Sequence, residues 1–149
     1  MSTGGEGPAD PEMGERGYRL VDHTADVVLE AWGPTRAACL EEIAAGCCAI
    51  YSGGAPAAGR APLQVAVSVP DELVPCLLEE IIFALDTLGR IPIGVEITHE
   101  SPTAVEGWIR VAERRAVDIV GPSPKAVART GAGLVQTETG WRCRVTVDV

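Results

Sequence analysis

The chain has 149 residues, about the length of one domain, and its 46% hydrophobic and 22% charged residues are ordinary for a globular fold. At that size about two thirds of the unfolded surface can be buried, so folding requires neither a disulfide nor a structural metal. The formal net charge is −9 and Lys125 is the only lysine. Nucleic-acid affinity scales with the number of phosphates that Lys and Arg neutralise, so direct nucleic-acid binding is not expected, whereas a cation or a partner with a basic surface is.

Residues 1–17 are rich in Gly, Pro and acids with almost nothing to bury, and read as a disordered tail ahead of a single domain over 18–149. Tyr18 to Val21 is a short strand, interrupted by Asp22-His23-Thr24. A second strand runs from Val27 to Trp32 and stops at Gly33-Pro34. Thr35 then caps a helix to about Tyr51, with Leu40, Ile43, Ala44, Cys47, Ile50 and Tyr51 at helical spacing. Ser52-Gly53-Gly54 ends it, and the Ala/Pro/Gly stretch to Pro62 reads as a loop.

Leu63, Val65, Val67 and Val69 alternate with smaller or polar residues, the pattern of a half-buried strand. Pro70-Asp71-Glu72 opens a second helix, because Pro and acids suit a first turn. Its apolar stripe runs from Leu73 through Leu77, Leu78, Ile81 and Leu85 to Leu88, and Gly89 is the expected C-cap. The remainder reads as strands at 93–98, 107–113, 125–130, 134–137 and 141–147. A turn at Glu100-Ser101-Pro102 separates the first two, and a hairpin turn at Glu138-Thr139-Gly140 joins the last two. The expected fold class is α+β, with two helices packed on one face of a mostly antiparallel or mixed β-sheet.

The five cysteines, Cys39, Cys47, Cys48, Cys76 and Cys143, include no CxxC pair, and four of them fall at apolar positions. They read as small core hydrophobes. No signal peptide is evident and no apolar run reaches the about 18 residues of a membrane span, so a cytoplasmic protein without membrane contact is expected. Trp32, Trp108 and Trp141 read as sheet packing, His99 as a surface histidine, and Glu79 and Glu80 as a solvated face.

Two features carry chemistry. Asp22, His23 and Asp26 crowd into five residues at a strand junction. Two carboxylates and an imidazole there suit a metal site or an acid–base site; an Asx-type turn capping its own backbone suits the same residues. The second feature is the ending Asp148-Val149, which sets a terminal carboxylate beside an aspartate. Were it to meet the Asp26 turn, three carboxylates would converge and repel one another unless a cation filled them. All-oxygen ligation favours Ca²⁺, Mg²⁺ or Mn²⁺ over zinc. A stand-alone metal-dependent hydrolase using Asp22, His23 and Asp26 is the alternative use of this chemistry.

The segment Tyr18 to Asp26, the leucine-rich helix from Glu72 to Leu85, Lys125-Ala126-Val127 and the stretch from Gly140 to Val149 together resemble the archease family. The resemblance covers residues 17–149 and implies a two-layer fold. It also implies an accessory, non-enzymatic role toward the RtcB-type RNA ligase of tRNA splicing and RNA repair, promoting its guanylylation and turnover. Its metal-binding tip, with calcium the implied ion, would use Asp26, Asp148 and the Val149 carboxylate, with Asp22 and His23 behind them and Lys125 facing the partner. One departure stands out: where the family has an aromatic-His-Gly stretch, this chain has Ala128-Arg129-Thr130-Gly131, without histidine.

Overall fold

The computed structural model describes residues 14–22 and 25–149, so His23 and Thr24 of the predicted turn, and residues 1–13 of the predicted tail, lie outside the described residues. Within the stretch read as tail, Arg16 already donates to Glu42 at 2.6 Å and to Glu41 at 3.0 Å.

The strands divide into two sheets rather than one, and every pairing is antiparallel. The larger sheet contains β1 (Gly17–Asp22), β2 (Asp26–Gly33), β8 (Gly140–Asp148) and β6 (Ala126–Val127), in that order, with β7 (Gly133–Thr137) also paired to β8. The smaller sheet has the order β3 (Gly59–Ala66), β5 (Ala104–Ala112), β4 (Ile91–Ser101).

Helix α1 (Arg36–Ala49) lies between the sheets, packing against β2 and β8 of one and β4 of the other. That position explains why the helix is buried over most of its circumference: Cys39, Leu40, Ile43, Ala44 and Cys47 are all fully buried, while Glu41 and Glu42 take the remaining, half-exposed side. Thr35 Oγ1 accepts from the Ala38 N–H at 3.1 Å, the expected N-cap. Helix α2 (Leu73–Thr87) packs on α1, β3, β4 and β6 through Leu73, Leu77, Leu78 and Ile81, all buried. Pro70–Glu72 forms a separate 3-10 turn ahead of it. Gly89, at φ +72°, follows the Leu88 cap as expected.

Four strands differ from the sequence reading. β4 runs from Ile91 to Ser101, so Glu100 and Ser101 of the predicted turn are ladder residues paired with Val105 and Ala104. β3 begins at Gly59, inside the stretch read as loop, and ends at Ala66. It is an edge strand paired on one side only, so Pro62 costs no hydrogen bond there. β6 has only two residues instead of six, and β5 starts at Ala104, taking in Val105. The three tryptophans are half-buried at the sheet surfaces and none belongs to the fully buried core.

Candidate functional site

Asp26 is the first residue of β2 and Asp148 the last of β8, and the two are Cα partners in the ladder. Directly opposed side chains project from the same face about 5 Å apart. The structure therefore brings together two residues 122 positions apart in sequence. Val27, Leu29, Val145 and Val147 of the same strands fill the core, and this burial fixes the register.

The chain end is held in place. The Val149 N–H donates to the Ala25 carbonyl at 3.3 Å, and the Lys125 N–H donates to the Asp148 carbonyl at 2.8 Å. Ala126 pairs with Asp148 from the other side. Lys125 thus lies next to the aspartate pair through its main chain. Asp22 ends β1 opposite Val27, one step along the ladder from Asp26. By strand alternation it shares the row of Val27, not that of Asp26 and Asp148. Asp22 reaches the same end of the sheet but not the same face.

Neither aspartate, nor Lys125, has an ion-pair partner among the described residues. No group of three or more His, Cys, Asp or Glu side chains stands together there either. The arrangement is two opposed carboxylates plus the Val149 end. Like charges directly opposite in a ladder destabilise it, and an oxygen-only donor set of this kind fits a hard divalent cation whose remaining positions are filled by water or by a partner.

The departure at residues 128–131 has a structural counterpart. Arg129 Nη2 donates to Glu79 at 2.7 Å and Nη1 to Cys76 Sγ at 3.4 Å, tying the segment after β6 to α2. Glu79, read from the sequence as merely solvated, is the anchor. A cleft of about 490 Å³ bordered by Arg36, Asp71, Leu134 and Trp141 includes neither residue of the aspartate pair. Trp141 stands seven residues from Asp148 along β8, about 23 Å away at about 3.3 Å per residue. Arg36 is already committed there, to Glu100 at 2.5 Å and to the Ser101 and Pro102 carbonyls. The five cysteines are free, and only Cys76 is not buried. Among the described residues no helix is long and apolar enough to cross a membrane.

The archease protein family model matches residues 18–149. Proteins called "probable protein archease" from two strains of Mycobacterium tuberculosis are 33% identical over 135 residues, covering 89% of this chain and 75% of theirs. Two solved structures share the fold. The solution structure of a Methanobacterium thermoautotrophicum protein superposes with a TM-score of 0.69 at 19% identity, covering 89% of this chain and 99% of that one. The crystal structure of a Thermotoga maritima protein, described as an archease and possible chaperone, superposes with a TM-score of 0.60 at 16% identity, covering 88% and 96%. With its α+β architecture and a family match running from Tyr18 to the last residue, this chain belongs to the archease family.

Proposed function

We propose that this protein is an accessory factor of an RtcB-type RNA ligase, promoting guanylylation of the ligase by GTP and its turnover in tRNA splicing or RNA repair. The acidic end of the larger sheet is its working surface. A divalent cation, calcium in the first instance, is held there by Asp26, Asp148 and the Val149 carboxylate, flanked by Asp22, His23 and Lys125. The cation would supply local positive charge for phosphate oxygens. The chain's own task is to hold two carboxylates in register on strand ends stiffened by the core behind them, and to present them to a basic, nucleotide-binding cleft. Family membership supports an accessory role, and the Thermotoga relative described as a possible chaperone points the same way.

The observation that carries this reading is the direct pairing of Asp26 with Asp148. The test replaces each with Ala and follows label transfer from GTP to the ligase. Stimulation should fall by an order of magnitude or more in both variants, because loss of even an outer-shell partner of a metal ligand costs about 10–100-fold. Adding two residues after Val149 should weaken it as well, by moving the terminal carboxylate. Undiminished stimulation by both Ala variants would refute the proposal. Hydrolysis of phosphoesters by the isolated, metal-loaded protein would favour a stand-alone hydrolase instead.

A further inference from the structure

The outer face of the β3–β5–β4 sheet carries two arginines directly opposite each other. Arg60 and Arg110 are Cα partners in adjacent strands and both are exposed. Neither has an ion-pair partner among the described residues. Two cations directly opposite each other oppose folding, yet both are held against the sheet. Arg60 Cζ stands 3.9 Å from the centroid of the Trp108 ring. Arg110 lies across Gly94, where an added Cβ would stand 2.8 Å from Nη2. The indole and the glycine reduce the freedom of both guanidiniums, so less entropy is lost when they bind.

Trp and Arg are the side chains most enriched among the residues that dominate protein–protein binding energy, and a guanidinium takes a carboxylate through two parallel hydrogen bonds. Charge decides between the possible anionic partners. Glu96, paired with Trp108 in the ladder, and Glu106, two residues before Trp108, are exposed on the same face of a chain of net charge −9, and both would lie under the continuous run of phosphates that a nucleic acid brings. An acidic segment of a protein need present only two carboxylates at short range. We infer that Arg60, Trp108 and Arg110 form a docking site for an acidic segment of a partner protein. The inference does not depend on the cation or on the ligase.

The test titrates the full chain, ¹⁵N-labelled at tryptophan, with a hexaglutamate peptide and separately with hexauridylate, in about 20 mM salt, where screening is weak. Loss of one indole signal in Trp108→Phe assigns it. The peptide should shift the Trp108 signal and leave Trp32 and Trp141 unmoved. The titration midpoint should rise about fivefold in Arg110→Gln, and further when Arg60→Gln is added. Unmoved Trp32 and Trp141 signals in the variants show that the fold is kept. The inference is overturned if the peptide leaves Trp108 unshifted, if the midpoint is the same in the variants, or if hexauridylate binds as tightly as the peptide.

Discussion

Asp148 occupies a place in the ladder where a carboxylate costs stability, because Asp26 stands directly opposite it. With no divalent cation present, Asp148→Asn should therefore stabilise the protein, by about 0.2–1 kcal/mol, the usual worth of a cross-strand pair. With a cation present the order should reverse, since binding to the native state alone raises the stability of the wild type. Melting both proteins in chelator and in millimolar calcium separates these effects. A wild type indifferent to calcium, with Asp148→Asn no more stable in chelator, would show that the pair is an ordinary strand end. The types of these residues were legible in the sequence, but their pairing across 122 positions was not. Arg129 shows the same limit from the other side. The sequence marks only a missing histidine at 128–131, whereas the fold has Arg129 gripping Glu79.

Elements were legible where their own periodicity matched what covers them. Helix α2 has one face in the core, and its stripe from Leu73 to Leu85 was evident from spacing. The same holds for the β7–β8 hairpin, where Gly140 at φ +146° marks the turn. Edges were harder to read. β3 begins among Ala, Pro and Gly residues that carry no strand signal, and its pairing with β5 alone sustains it from Gly59. β6 spans only Ala126–Val127, although the Ala128 N–H still donates to the Thr146 carbonyl of β8 at 2.9 Å, and Arg129 just beyond it reaches Glu79, 50 residues away in sequence. Gly107 has no local signal either: in the middle strand of its sheet, a Cβ there would lie 1.9 Å from the Glu96 carbonyl. The start of α1 does rest on a single local device, so Thr35→Ala should cost about 1 kcal/mol. A urea titration would register this as a lower midpoint at unchanged slope. No change in midpoint would mean that the sheets on either side hold the first turn without the cap.

At the scale of the whole molecule, the thiols become part of the stability. Burial pushes the Cys39 and Cys48 thiols up to about 12 from an ordinary value of 9.0, and Cys47 rises as well. These pKa values are higher folded than unfolded, so between about pH 9 and 12 the native state binds more protons than the unfolded chain. Their contribution is complete below pH 9 and is lost as pH rises through that window. The melting temperature should fall on that alkaline side, and Cys48→Ala should make the decline shallower. An identical slope in the variant would place the titration elsewhere. The charges, too, are arranged by end and face: the paired aspartates at one end of the larger sheet, the unpaired Arg60 and Arg110 on the outer face of the smaller. The sequence by itself determined the fold class, both helices, the hairpin and the acidic character, because periodicity, caps and side-chain chemistry are local properties. Only the tertiary structure decided that the strands form two sheets around α1, that Asp26 faces Asp148 while Asp22 does not share their row, and that Arg60 rests on Trp108. Distant strand partners such as β2 and β8, or β3 and β5, are chosen by burial of a shared core, and no local window of the sequence contains both.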